Sequence, residues 1–184
     1  ASASWDGVVA IWDLANGKLL NTLQGHTDCV WSVAWSPDGR RLASGSMDHS
    51  LKIWDATLGN ELVTLENNTD QIWCVAWSPD GTQLATCGSG LNVKVFETAK
   101  SKLLQTLEGH NKGISHVAWN SDGSRLATSS WDNTVKVWDP AKGKLVQTLK
   151  GHLYTVSSVA WRPDGSQLAT SSSDSTTKVW SMSE

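Results

Sequence analysis

GHTDCVWSVAWSPDGRRLASGSMDHSLKIWDATLGNELVTLE, residues 25–66, is the stretch from which the fold is read. Val30, Val33 and Trp35 form an apolar set along one short run. The run stops at Ser36-Pro37-Asp38-Gly39, a turn whose proline presets φ and whose glycine takes a positive φ. A second run, Arg41-Leu42-Ala43-Ser44, leads to a tight turn at Asp48-His49. The third, Leu51-Lys52-Ile53-Trp54, alternates with a period of two. After a loop at Leu58-Gly59 comes a fourth, Glu61-Leu62-Val63-Thr64-Leu65. Four short strands with no helical stretch describe an antiparallel sheet that cannot shield its own faces.

Outward from this stretch, the same unit returns every 42 residues. Gly25-His26, Gly109-His110 and Gly151-His152 keep the step, with Asn67-Asn68 filling the gap. Trp12-Asp13, Trp54-Asp55, Phe96-Glu97, Trp138-Asp139 and Trp180-Ser181 form a second register, and Trp35, Trp77, Trp119 and Trp161 a third. The turn recurs at Ser78-Pro79-Asp80-Gly81, Asn120-Ser121-Asp122-Gly123 and Arg162-Pro163-Asp164-Gly165. Three registers sharing one period exclude coincidence. The expected architecture is an all-β propeller of four-stranded blades, about 4.5 repeats in a single region, 1–184. A partial blade occupies 1–24, full blades fall at about 25–66, 67–108 and 109–150, and a three-stranded blade at 151–184.

Residues 1–12 match 43–54 and 169–180, so the chain opens on a second strand. The strands then run b-c-d, three times a-b-c-d, and a-b-c. A ring of about four blades is too small to close, and an open arc exposes unpaired edges. The expectation is an incomplete ring that lacks upstream blades; the alternative is a ring closed by further copies of the chain.

These residues resemble the WD-repeat (WD40) β-propeller family, over essentially the whole chain. The resemblance implies a hydrogen-bonded set in each blade, joining the His of Gly-His, a second-strand Ser or Thr, a turn Asp and the third-strand Trp. Those positions are His26, Ser44, Asp48 and Trp54; His110, Thr128, Asp132 and Trp138; and His152, Thr170, Asp174 and Trp180. The chemistry is consistent, because a half-buried imidazole and indole N–H require acceptors. The repeat at 67–108 has Asn68, Gly90 and Phe96 in place of His, Asp and Trp, keeping only Thr86. Losing the polar members together strands no buried donor, and this blade is expected to be the least rigid.

In the family, the Gly-His loops and Asp turns open on one face. Early first-strand positions, here Trp31, Trp73, Ser115 and Ser157, point out there, as do the residues before the turn Asp: Trp5, Met47, Ser89, Trp131 and Ser173. Trp5, Trp31, Met47, Trp73 and Trp131 are therefore the candidate partner-binding residues, an apolar cluster on a wet rim. Some of these rings could instead lie flat between blades.

Composition narrows the function classes. Net charge is −3, from 15 basic and 18 acidic residues, with no basic stripe for nucleic acid. No apolar stretch is long enough for a membrane span or a secretory signal. Three cysteines, Cys29, Cys74 and Cys87, form no C-x-x-C pair and read as reduced, intracellular (cytoplasmic) residues. No cofactor or metal is expected, and no catalytic residue: His49 and His116 have no ligand-spaced partner, and H-x-x-H and G-x-S-x-G are absent. The expected function is a scaffold presenting a rigid face to other proteins or peptides. The alternative is an assembly or sensor module of a larger signalling protein, or a propeller-assembly chain without its own ligand.

Overall fold

The computed structural model describes residues 1–65 and 70–182. The Asn67-Asn68 register lies outside the described residues. Among the described residues eighteen strands form five antiparallel sheets, each a meander in chain order. The first holds β1 (Ser2–Ala3), β2 (Val9–Trp12) and β3 (Leu19–Leu23). The second holds β4 (Val30–Trp35), β5 (Arg41–Ser46), β6 (Leu51–Asp55) and β7 (Glu61–Leu65). The third holds β8 (Ile72–Trp77), β9 (Gln83–Gly88), β10 (Asn92–Glu97) and β11 (Lys102–Glu108). In the fourth are β12 (Ile114–Trp119), β13 (Leu126–Ser130), β14 (Thr134–Asp139) and β15 (Lys144–Lys150). The fifth holds β16 (Val156–Trp161), β17 (Gln167–Ser172) and β18 (Thr177–Ser181). These are the blades of a β-propeller in an open arc, since among the described residues the first and last sheets share no ladder.

The hairpin turns form as their residues dictate. Gly39, Gly81, Gly123 and Gly165 take φ of 67, 71, 74 and 74°, conformations costly for any residue with a Cβ. Asp38, Asp80, Asp122 and Asp164 each accept a backbone N–H two residues on.

Successive sheets bury their facing sides against one another in four seams. Val9, Ile11 and Leu23 meet Val30, Leu42 and Trp54 in the first seam. In the next, Ala43, Leu51, Ile53 and Leu65 meet Ile72, Val75, Leu84 and Phe96. Val93, Val95 and Leu107 pack on Ile114, Val117, Leu126 and Trp138, and Val135, Val137 and Leu149 on Val156, Val159 and Leu168. Burying one such side chain contributes about 1.5–3 kcal/mol, so the seams, not the isolated sheets, stabilise the fold.

The third Trp register ties the seams together. The indole N–H groups of Trp77, Trp119 and Trp161 donate to the carbonyls of Ala34, Ala76 and Ala118, at 3.0, 3.1 and 3.1 Å. Each bond runs into the preceding sheet. Sequence spacing alone left this register without a role.

First strands carry a further device. The ladder with the second strand slips between Val30 and Ser32, Ile72 and Cys74, Ile114 and His116, and Val156 and Ser158. The extra residue at each bulge is Trp31, Trp73, Ser115 or Ser157. A bulge re-aims its side chain, and here it also returns Val30 and Val33 to one face despite their odd spacing.

Candidate functional site

Antiparallel alternation puts the starts of the first and third strands, and the ends of the second and fourth, on one edge of the arc. The loops holding His26, His110 and His152 and the turns holding Asp48, Asp132 and Asp174 therefore share that edge. Within the second sheet the Trp54 indole N–H donates to Ser44 Oγ at 2.8 Å, and Ser44 Oγ lies 2.7 Å from His26 Nε2. His26 Nδ1 lies 2.8 Å from Asp48 Oδ2, which also accepts the Thr27 N–H at 2.9 Å. One tautomer satisfies every atom: the Ser44 hydroxyl donates to Nε2, and Nδ1–H donates to the carboxylate. The fourth sheet repeats the relay through Trp138, Thr128, His110 and Asp132, at 2.9, 2.8 and 2.7 Å. The fifth repeats it through Trp180, Thr170, His152 and Asp174, at 2.9, 2.8 and 2.8 Å. Gly109 fits the same design, because a Cβ there would meet the Trp138 ring at 3.3 Å.

Electrostatics follow from this geometry. Burial pushes the Asp48 carboxyl up, but the Ser50 hydroxyl, two backbone amides and His26 outweigh it and hold its pKa at about 2. Asp132 is held well below the usual carboxylate range against its burial, chiefly by His110. Asp174 is held there chiefly by the Thr176 hydroxyl. Burial pushes the His26 imidazole down despite Asp48. Between the folded and unfolded pKa values of such groups the unfolded chain binds more protons, so stability falls as pH falls. His26 weakens the fold first, below about 6.5. Asp48 follows from about 4 down to 2, with about 1 kcal/mol at stake once solvent screening is allowed for. The urea midpoint is expected to fall from pH 5 to 2.5, and Asp48→Asn to flatten this acid limb. A midpoint constant below pH 5 would contradict this reading.

The third sheet closes its edge differently. Phe96 is fully buried at the Trp register and requires no acceptor. Gly90 stands in the Asp register, and the Asp70 carboxylate occupies the space a side chain on Gly90 would take. The turn is tied by Ser89, whose N–H donates to the Gln71 carbonyl at 3.1 Å and whose Oγ accepts the Gln71 N–H at 3.0 Å.

The candidate partner-binding residues divide into two groups. Trp5, Trp31 and Trp131 are 78, 50 and 46% exposed. Trp73 is half-buried, its ring 4.7 Å from that of Trp131 and packed against Gly113, where a Cβ would meet it at 3.0 Å. Met47 is half-buried as well. Two exposed residues that sequence reasoning missed share the edge: Leu153 and Tyr154, directly after His152. The Leu153 carbonyl accepts the Asn133 side-chain N–H at 3.2 Å, which links that loop to the turn beside Trp131. Their position after Gly-His was a usable signal.

Linear spacing also hid a cluster. Cys74 and Cys87 are directly opposed across β8 and β9, and His116 of the next sheet sits beside Cys74. Spacing along the sequence does not show this neighbour, because Cys74 and His116 are 42 residues apart, one register in successive sheets. Among the described residues no group of three or more His, Cys, Asp or Glu is placed to hold a metal ion.

Comparison with known proteins agrees with this geometry. The family model described as WD domain, G-beta repeat matches residues 17–55, 59–97, 101–139 and 143–181. Each matched unit starts in the outer strand of one sheet and ends in the third strand of the next, so it straddles a seam. Coronin-7 of Mus musculus is 54% identical over 44 residues, 24% of this chain and 5% of that protein. Nuclear distribution protein PAC1 of Coccidioides posadasii is 53% identical over 45 residues, 24% and 10%. Small ribosomal subunit protein RACK1y of Oryza sativa subsp. japonica is 52% identical over 44 residues, 24% and 13%. These stretches cover about one repeat and a small part of each relative's length.

Proposed function

The chain belongs to the WD40 family, and from that premise we propose that it is a protein-interaction scaffold. Its contact face is the edge carrying Trp5, Trp31, Trp131, Leu153 and Tyr154, with Met47 and Trp73 supporting them. The observation that carries this reading is the half-exposure of Trp31 and Trp131 on the edge that also carries the His and Asp of the buried relays. Large rings held on a rigid frame lose little entropy on docking, which is why tryptophan dominates interface hot spots. The partner class is a protein or peptide with an apolar anchor, and neither nucleic acid nor membrane is proposed. Among the described residues no helix is long and apolar enough to cross a membrane. An intracellular setting suits three free thiols.

No catalytic role is proposed, since His26, His110 and His152 are each engaged in a buried relay. A second reading, an assembly module completed by further copies or further blades, rests on the open arc. Light scattering would report completion by further copies as a mass above one chain, and a mass of one chain would leave completion to further blades.

The test uses peptides selected against the chain from a displayed random library. Trp31→Ala and Trp131→Ala are each expected to weaken the selected peptides about tenfold or more. Stability should stay within about 1 kcal/mol, since Trp131 gives up only a surface ring pair. Unchanged affinity in both variants would end the proposal.

A further inference from the structure

The third seam holds a group of reactive side chains that the interaction face does not use. The residues at its inner register are Ser32, Cys74, His116 and Ser158 in successive sheets, and opposite them stand Gly45, Cys87, Ser129 and Ser171. Only in the third sheet are both members thiols. Cys74 and Cys87 are both buried, and the Cys74 thiol reaches toward the Val117 carbonyl at 3.8 Å. The His116 ring lies beside Cys74, and its Nδ1 is buried without a hydrogen-bond partner among the described residues.

We infer that Cys74 and Cys87 form an oxidative modification site, a cross-strand dithiol that closes to a disulfide on reaction with a peroxide, with His116 as the group that activates Cys74. Directly opposed residues on antiparallel strands have Cα atoms about 4.5–5.5 Å apart, inside the 4.4–6.8 Å range a disulfide spans. Contact with Cys87, together with the His116 imidazole, draws the Cys74 thiol well below the ordinary thiol range against its burial. Burial pushes Cys87 up, and its neighbour Cys74 pushes the His116 imidazole up. This sets a second thiol opposite Cys74 and an imidazole beside it that can take the Cys74 proton as the thiolate forms.

The chemistry balances without a further reagent. The Cys74 thiolate attacks one peroxide oxygen and the O–O bond breaks. The departing hydroxide takes the His116 proton and leaves as water. Cys74 is now a sulfenic acid. The Cys87 sulfur attacks the Cys74 sulfur, an S–S bond forms, the S–O bond breaks, and the hydroxide takes the Cys87 proton as a second water. Two thiols have lost two electrons to one peroxide.

The site falls in a four-stranded sheet without a His–Asp–Trp relay, so the disulfide ties β8 to β9 where that bracing is missing. That same weakness supplies access: the buried thiols are reached when the two strands part.

The test treats the folded chain with hydrogen peroxide and follows the products by intact and peptide mass spectrometry. The expected product is the chain less two hydrogens, with the link mapped to Cys74–Cys87 and Cys29 still free. Cys29 serves as an internal control, since burial pushes its thiol up. The variants borrow residues already present in the same registers, which protects folding. Cys87→Ser is expected to stop at one added oxygen on Cys74, trapped by dimedone. Cys74→Ser should abolish both products. His116→Ser should slow the first step on the order of tenfold or more and move its pH dependence toward that of a free thiol. Disulfides through Cys29 only, or no disulfide while the chain stays folded, would overturn the site. An unchanged rate and pH profile in His116→Ser would overturn the role of His116.

Discussion

Trp138→Ala is expected to lower stability by about 4 kcal/mol, the largest effect of any single truncation here. The Trp138 ring is fully buried in the seam between the third and fourth sheets, packed with Leu126 and Val117 of its own sheet and with Cys74, Val93 and Leu107 of the sheet before. Its removal leaves a cavity that stiff strands on both sides cannot collapse into. It also removes the indole N–H that Thr128 Oγ1 accepts at 2.9 Å, loosening the contact that orients His110. Trp138→Phe separates the two effects. Phe96 fills the same register in the third sheet and is fully buried there, so phenylalanine is compatible with the backbone. This variant should lose about 1–2 kcal/mol, from one hydrogen bond and a smaller ring. Urea unfolding followed by circular dichroism reads both values, and a loss below 1 kcal/mol for Trp138→Ala would contradict the packing described.

Gly88→Ala is expected to cost about 3 kcal/mol, although it adds one methyl group. A Cβ on Gly88 would overlap the Gln71 carbonyl oxygen and lie 2.8 Å from its carbon and 3.0 Å from the Trp73 nitrogen. All three are backbone atoms, so no rotamer change relieves the clash. In the second, fourth and fifth sheets this register is Ser46, Ser130 and Ser172, whose hydroxyls donate to the carbonyls of Asp28, Gly113 and Tyr154 at 3.0, 2.9 and 3.1 Å. The third sheet draws its loop closer instead of bridging the gap with a hydroxyl. Ser130→Ala is the matched control and should lose only about 1 kcal/mol, the worth of its hydrogen bonds. Equal losses in the two variants would mean that the third sheet shares the edge geometry of its neighbours.

The period of 42 residues, the S-P-D-G turns and the alternating runs made the strands and their order legible from sequence alone. These are local signals: a turn needs its own residues, and a sheet of consecutive hairpins needs nothing from afar. What stayed hidden crosses the seams. Trp119 reaches Ala76 and Trp77 reaches Ala34, each 43 residues back, because stacked sheets bring like strands together with a small offset. The stacking also sets His116 beside Cys74, 42 residues back, though each looks isolated in its own repeat. At the rim, residue type marked Trp73 as a contact residue, yet Gly113 in the next sheet leaves room for its ring to lie in the seam. Exposure there depends on what the neighbour lacks, and a repeat read singly does not carry that.

The claim on which the rest depends is that buried relays hold the rim rigid while Trp5, Trp31 and Trp131 keep an exposed face. Hydrogen exchange of the indole N–H groups, followed by NMR, tests it directly. The Trp54 and Trp138 signals should persist long after the Trp5 signal has exchanged, with Trp180, half-buried in the fifth sheet, between them. Exchange of Trp54 and Trp138 at the rate of Trp5 would contradict it.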